Sequence, residues 1–155
     1  MLRTTFQKEL LQKSWALLPL RLVVGFGFAA HGYAKLSRGP EAFAMILHSL
    51  GVPHPLLMAW TTALLEFAGG ICVMAGAFIL PFSVPLTAIM LTAMLSVHLR
   101  YGFSSVRLLA VTADGPKFGP IGYEMNLLYM AGLLTLVFAG SGALSADHYW
   151  KVKDR

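Results

Sequence analysis

The sequence predicts an all-α integral membrane protein: a four-helix bundle with an interfacial N-terminal segment and a short interfacial helix between spans 1 and 2. Of its 155 residues, 57% are hydrophobic and 12% are charged, whereas soluble domains contain about 45–50% apolar and about 25% charged residues. The apolar residues collect in four runs, each near the roughly 20 residues that a helix needs to cross the hydrocarbon core. The whole chain, 1–155, is therefore expected to form a single transmembrane domain.

The basic residues point to membrane lipid as a partner. The formal net charge is +5, but the basic side chains collect at the termini and beside apolar runs, where they meet anionic headgroups. Nucleic acid binding is therefore not expected. Cys72 is the only cysteine, so an intrachain disulfide and a CxxC relay are excluded, and we expect it to be a small buried hydrophobe.

The chain begins with a basic segment in which an apolar residue recurs every fourth position, which is typical of an interfacial amphipathic helix. The first span is expected over about 16–34, with Pro19 in its first turn. Arg21 lies near the basic end of this span. Its long side chain is expected to reach the lipid phosphates and to act as a topology anchor.

A short interfacial helix is expected within 37–55, starting at Pro40 and ending at Gly51. Its position between two spans indicates that it covers the mouth of the bundle.

The second span is expected over about 56–80 and carries a single formal charge, Glu66. The proline-bounded stretch 81–85 is expected to be a tight turn. The third span follows over about 84–101. A loop of about 20 residues leads to the fourth span, over about 121–139, and loops of that length are usually functional or mobile.

An even number of spans places both termini on one side of the membrane. That side carries seven basic residues and the other carries five, a bias that favours cytoplasmic termini. The seven are Arg3, Lys8, Lys13, Arg21, Lys151, Lys153 and Arg155, and the five are Lys35, Arg38, Arg100, Arg107 and Lys117.

Glu66 is the strongest candidate for a functional residue, because a carboxylate at mid-span is costly unless it is protonated, paired or facing a wet cavity. Gly69 and Gly70 follow on the same helix face and would let a helix or a ligand approach closely. Threading the spans alternately places further ionisable residues at the depth of the outer half of the bilayer. These are His31, Lys35, His98, Arg100 and Glu124.

These charges admit a structural interpretation as well as a functional one. Glu66 could pair with His31 or Lys35, and Glu124 could pair with Arg100. Interhelical polar contacts in membranes contribute only about 0.6 kcal/mol on average, which is little for so much desolvation. This imbalance favours a ligand site or a proton site.

With these residues placed on the predicted spans, the chain resembles the DoxX family of small four-helix bacterial membrane proteins over about 19–147. The resemblance is least in the loop 104–119. It implies a DoxX-like bundle in the bacterial inner membrane, associated with quinone-linked or sulfur oxidation and with oxidative or thiol stress. The matching motifs are Arg21, GYAK at 32–35, EFAGG at 66–70, His98, GF at 102–103, GYE at 122–124 and GSGALSAD at 140–147.

The favoured function is a quinone-interacting or membrane-anchoring subunit of an oxidoreductase system. Gly69 and Gly70 would form a flat slot, His31 and His98 would donate to the quinone carbonyls, and the two intramembrane glutamates would pass protons outward. Nothing in the chain stores electrons unaided, so a redox partner protein or a bound cofactor is required.

Several alternatives remain open. His31 and His98 could be axial haem ligands, although haem is not favoured and no metal site is expected. The same cavity could serve a carrier for a small solute or a lipid, which would require a homo-oligomer because four short spans make a poor transporter. The loops 37–55 and 104–120 could instead dock a soluble enzyme on a non-catalytic scaffold.

Overall fold

The computed structural model describes residues 2–147 and 149, with side chains from residue 15 onward. The basic C-terminal tail therefore lies outside the described residues, as do the side chains of the amphipathic N-terminal segment. The helices are α1 (Leu2–Ser37), α2 (Pro40–Ser49), α3 (Pro55–Ala75), α4 (Ile79–Ala93) and α5 (Glu124–Ala139). One π turn (Met94–His98) and one 3-10 turn (Leu99–Tyr101) continue α4, and an antiparallel hairpin of β1 (Leu108–Thr112) and β2 (Gly115–Phe118) precedes α5.

Three stretches of the described chain are long and apolar enough to cross a membrane: Trp15–Ser37, Pro55–Ala75 and Ile79–Tyr101. Helix α5 is apolar but has only 16 residues, a length of about 24 Å against a hydrocarbon core of about 30 Å. The predicted all-α, multi-pass membrane fold is confirmed, with three helices of full spanning length and a shorter fourth.

The core of the bundle draws on all four of these helices. Val73 of α3 and Leu86 of α4 are fully buried, as are Phe28 of α1 and two leucines of α5, Leu133 and Leu136. Because each long helix contributes a side chain to one apolar cluster, the four helices form a single bundle.

Helices α1 and α3 approach most closely, and glycines make this approach possible. A Cβ atom at Gly32 would meet the backbone of Ala63 and Phe67, and one at Gly70 would meet the backbone of Ala29. Small residues are typical of membrane helix interfaces because they let backbones come close. The α1–α3 pair is therefore the frame on which the other helices assemble.

The N-terminal segment is helical, as predicted, but it is continuous with the first span rather than a separate element. Helix α1 runs without interruption through Pro19, so the prediction that this proline lies in a first turn is wrong. Proline at this position removes one backbone donor, and the helix continues past it.

The predicted turn at 81–85 is wrong as well. Helix α3 ends at Ala75 because Gly76 adopts the left-handed conformation, with φ 67°, in which a glycine ends a helix without steric strain. Helix α4 begins only three residues later, so Pro81 lies in its first turn and Pro85 lies inside it. A proline near a helix start has no intrahelical hydrogen bond to lose.

The interfacial helix between spans 1 and 2 is present as α2, which starts at Pro40 and stops before Gly51 (φ 74°). Its Ala44 is buried against the bundle, whereas Ile46 is 52% exposed. The stretch expected to be a long loop contains the β-hairpin. Its first strand begins with four consecutive apolar residues, 108–111, and so lacks the alternation of apolar and polar residues that predicts a half-buried strand.

Candidate functional site

The intramembrane carboxylate of Glu66 is buried and paired. Its side chain is 2% exposed, and Oε2 accepts a hydrogen bond from Nζ of Lys35 in the last turn of α1. Lysine 35 is one of the two partners that the sequence suggested for Glu66. The ion pair joins α1 to α3 across their close interface.

The position of Glu66 follows from the burial pattern of α3. Ala59, Ala63, Glu66, Gly70 and Val73 are all buried, and their spacing of three or four residues places them on one face of the helix. Glu66 is therefore the one ionisable member of a seam that is otherwise small or apolar. An ion pair in such a seam loses hydration that its attraction only partly restores, so it is weak evidence for a purely structural role.

A cavity of about 270 Å³ lies between the C-terminal end of α1 and helix α2. Lys35 lines the cavity and also forms the ion pair with Glu66, so its side chain connects the cavity to the buried carboxylate. Its Nζ lies 4.7 Å from the ring centroid of Phe43, within the range of a cation–π contact. The complete lining is His31, Ala34, Lys35, Arg38, Gly39, Ala42, Phe43 and Ile46.

The lining of the cavity combines basic and apolar side chains. His31, Lys35 and Arg38 contribute nitrogen donors, and Phe43 and Ile46 contribute apolar walls. Such a mixture of apolar surface and a few converging polar groups is typical of a small-molecule site. It suits a ligand that carries oxygen acceptors or negative charge.

The two candidate histidines lie in different surroundings. His31 is exposed and lines the cavity, whereas His98 is half-buried in the π turn, with Nδ1 3.0 Å from the carbonyl oxygen of Ile121. The structure therefore brings His31 to Lys35 but does not bring His98 into the cavity. Among the described residues, no three His, Cys, Asp or Glu side chains are grouped to hold a metal ion.

The expected pairing of Glu124 with Arg100 is not found. Oε2 of Glu124 accepts a hydrogen bond of 2.9 Å from the backbone N–H of Ser105, and the Arg100 guanidinium lies over the ring of Tyr101, 4.8 Å from its centroid. Ser105 lies in the segment that leads into the hairpin, and this segment brings its backbone N–H to the start of α5. Glu124 thus holds the base of the hairpin.

The slot expected at Gly69 and Gly70 is filled by neighbouring helices. A Cβ atom at Gly70 would meet the backbone of Ala29, and one at Gly69 would lie 3.0 Å from Phe82 and 3.2 Å from Leu86. The prediction that these glycines form a ligand slot is therefore wrong. The space that they leave admits α1 on one side and α4 on the other.

Arg21 does not reach the lipid phosphates, so the predicted snorkelling anchor is also wrong. The side chain is 2% exposed, and its guanidinium donates to the carbonyl oxygens of Ser141 (2.6 Å), Ala143 (3.3 Å) and Leu144 (3.0 Å). The segment after α5 leaves these carbonyls free, and the fork of an arginine side chain matches them. Arg21 therefore fastens the end of the bundle to its first helix.

Sequence reasoning gave Asp147 no role beyond the end of a family motif. Its carboxylate accepts hydrogen bonds from the backbone N–H groups of Phe78 (2.9 Å) and Ile79 (3.4 Å), and so caps the start of α4. A capping residue is normally found next to its helix. Here it lies 68 residues away from Ile79 along the chain, so no local pattern could identify it.

Asn126 is a further buried polar residue to which sequence reasoning assigned no role. It is 5% exposed, and Nδ2 donates to the carbonyl oxygen of Met90 at 3.2 Å. This bond joins α5 to α4 just before the π turn. A polar residue inside an apolar run was the available signal, since such residues usually face the bundle interior.

One comparison with known proteins identifies the family of the chain. The family model for DoxX matches residues 16–99, slightly more than half of the 155-residue chain. The matched region includes both members of the Lys35–Glu66 pair and the α1–α3 interface. No curated protein and no solved structure matches the chain. The chain is a multi-pass membrane protein and belongs to the DoxX family.

Proposed function

We propose that this protein is a quinone-interacting membrane subunit of an oxidoreductase system, and that the cavity between α1 and α2 receives the quinone head group. The observation that carries the proposal is the double contact of Lys35, which lines the cavity and pairs with the buried Glu66. A buried ionisable pair that opens into a cavity is a common feature of functional sites in membranes.

The dimensions and lining of the cavity support this choice of ligand. Its volume of about 270 Å³ is near the lower end of ligand pockets, at about 300 Å³, and suits a ring whose isoprenoid tail stays in lipid. Phe43 and Ile46 offer apolar surface to the ring. Lys35 and His31 offer N–H donors to carbonyl oxygens on the same ligand.

A bound quinone would supply the capacity to accept electrons, which a partner protein must deliver because no side chain of this chain stores them. The residues of the chain then have two tasks. Lys35 orients a carbonyl oxygen and stabilises negative charge on it. Glu66 fixes the Lys35 ammonium, and the exposed His31 can exchange protons with water at the mouth of the cavity.

The proposed location is the bacterial inner membrane with cytoplasmic termini. The seven-to-five bias in basic residues supports this orientation, because cytoplasmic segments carry the excess of Lys and Arg. The cavity, α2 and the hairpin would then belong to the outer side. Quinone and redox partner would meet there.

The test compares bound lipid and quinone affinity in matched variants. Purified protein is extracted for mass spectrometry and titrated with a short-chain quinone in detergent. We expect quinone in the wild-type extract, and a loss of affinity of about tenfold or more in Lys35→Met, because one hydrogen bond to a charged group contributes about 1.5–3 kcal/mol. Lys117→Met, which makes the same change in the exposed hairpin, should bind normally.

A double variant that carries both Lys35→Met and Glu66→Leu controls for misfolding. It removes the Lys35 donor without leaving a buried charge unpaired. A wild-type protein that neither carries nor binds a quinone would contradict the proposal. So would full affinity in Lys35→Met.

A carrier for an anionic solute or lipid is the second candidate, and the basic lining of the cavity favours it. Three side chains with nitrogen donors, His31, Lys35 and Arg38, face this space, and anionic headgroups are attracted to such clusters between helices. The same mass spectra separate the two candidates. An anionic lipid or solute in place of a quinone would favour the carrier.

A further inference from the structure

The β-hairpin carries an apolar face that no other part of the described chain covers. The strands pair Leu108 with Phe118 and Val111 with Pro116. Pro116 and Phe118 are two residues apart in β2 and so lie on one face. A register shift between Leu108 and Ala110 inserts an extra residue into β1, so Leu108 and Val111 share that face although they are three residues apart. Leu108 is 55% exposed, Val111 75% and Phe118 59%.

The opposite face of the hairpin is basic and polar. Lys117 pairs with Ala110 there. The backbone N–H of Gly119 donates to the carbonyl oxygen of Arg107 at 2.8 Å, which continues the strand pairing and places Arg107 on the same face as Lys117. Over 100–118 the chain has three basic residues, Arg100, Arg107 and Lys117, and one acidic residue, Asp114. An element with one apolar face and one basic face is typical of interfacial binding to anionic lipid.

The base of the hairpin is fixed to the start of α5. Backbone N–H groups of Gly122, Tyr123 and Glu124 donate to the carbonyls of Ser104 (3.1 Å), Gly102 (3.0 Å) and Phe103 (2.9 Å), respectively. The carboxylate of Glu124 also accepts from the Ser105 amide. The base of the hairpin is therefore bonded directly to the first turn of α5.

The length of α5 places this base at the edge of the hydrocarbon. The helix has 16 residues and covers about 24 Å of a core about 30 Å thick. The hairpin base must therefore lie close to the hydrocarbon boundary rather than far out in water. A two-stranded hairpin is marginally stable in water on its own. Contact of its apolar face with lipid at the hydrocarbon boundary would therefore stabilise it.

We propose that the hairpin lies on the membrane, with the face formed by Leu108, Val111, Pro116 and Phe118 in the headgroup region and Arg107 and Lys117 bound to anionic lipid phosphates. Long basic side chains can reach phosphates from the edge of an element whose apolar face is in lipid. The partner is the lipid surface itself rather than a second protein.

Because the chain has a single cysteine, one substitution gives a cysteine-free background for site-specific labelling. In a Cys72→Ala background, nitroxide labels are attached through Val111→Cys on the apolar face or Ala110→Cys, its exposed neighbour on the other face. The protein is placed in nanodiscs of phosphatidylcholine and phosphatidylglycerol. Collision rates of each label with oxygen, which partitions into lipid, and with a water-soluble nickel chelate are measured.

We expect the ratio of oxygen to nickel collision rates to be several-fold higher at 111 than at 110. Arg107→Gln with Lys117→Gln, or discs of phosphatidylcholine alone, should reduce this difference. Equal exposure of both labels to the nickel chelate would overturn the proposal. Spin–spin broadening at 111 from a second copy, or shielding only after a soluble protein is added, would also overturn it.

Discussion

At the residue scale, the Lys35–Glu66 pair is asymmetric. Glu66 is 2% exposed and the Lys35 side chain 22%, so the two partners differ in what happens when the other is removed. Lys35→Met leaves a buried carboxylate without a cation and should lower the free energy of unfolding by about 3–5 kcal/mol. Glu66→Gln should cost less, because Lys35 is partly exposed and its freed ammonium can turn away from the bundle to water. Thermal unfolding of both variants in detergent measures the difference, and equal losses would contradict this asymmetry.

Arg21, unlike the Lys35–Glu66 pair, is a buried charge whose contacts are structural. Its guanidinium holds three backbone carbonyls of the segment after α5, which a lysine cannot do with the same geometry. We expect Arg21→Lys to lower the free energy of unfolding by about 1–3 kcal/mol, the cost of a buried acceptor left unsatisfied. Limited proteolysis should then cleave near Ser141 faster than in the wild type. Unchanged cleavage and stability would contradict the role assigned to Arg21.

At the scale of elements, the α1–α3 interface depends on one glycine of the Gly69-Gly70 pair more than on the other. A Cβ atom at Gly70 would meet the backbone of Ala29, whereas one at Gly69 would meet only the side-chain tips of Phe82 and Leu86. Side chains can shift and backbones in a packed interface cannot, so Gly70→Ala should cost about 1–3 kcal/mol. Gly69→Ala is its matched control, and melting temperatures in detergent compare the two. Equal losses would contradict the close approach of α1 and α3.

The same pair of glycines shows what the sequence could and could not predict about elements. An apolar run with one charge was enough to identify α3 and its functional candidate. A glycine stripe indicates that something approaches closely, but not whether that is a helix or a ligand, and here it is helices. The end of α3 was misplaced because apolar residues continue beyond Gly76, so hydropathy alone does not mark the break.

Part of the candidate site could be predicted from the sequence. Lys35 and Glu66 were both identified, because ionisable residues within membrane spans are rare and usually functional. Their pairing was left open, since depth estimated from residue counts does not separate Lys35 from His31, one turn away. The contacts of Arg21 and Asp147 could not be foreseen because their partners lie at least 68 residues away.

At the scale of the whole molecule, one end of the bundle is closed by hydrogen bonds and the other opens into a cavity. Arg21 and Lys35 lie 14 residues apart on α1, or about 21 Å. At the Arg21 end, buried hydrogen bonds close the bundle on its own C-terminal segment. At the Lys35 end, the buried pair opens into a cavity beneath α2, on the same side as the hairpin. One end of the bundle is therefore closed by structural hydrogen bonds, and the proposed ligand site lies at the other.

The quinone affinity of purified Glu66→Gln, measured beside its melting temperature, tests the central claim most directly. The amide keeps the shape of the side chain but cannot ionise, so it no longer holds the Lys35 ammonium at the cavity. We expect affinity for a short-chain quinone to fall about tenfold or more while the melting temperature changes little. Unchanged affinity, or a loss of affinity that only follows a loss of folded protein, would contradict a functional role for the pair.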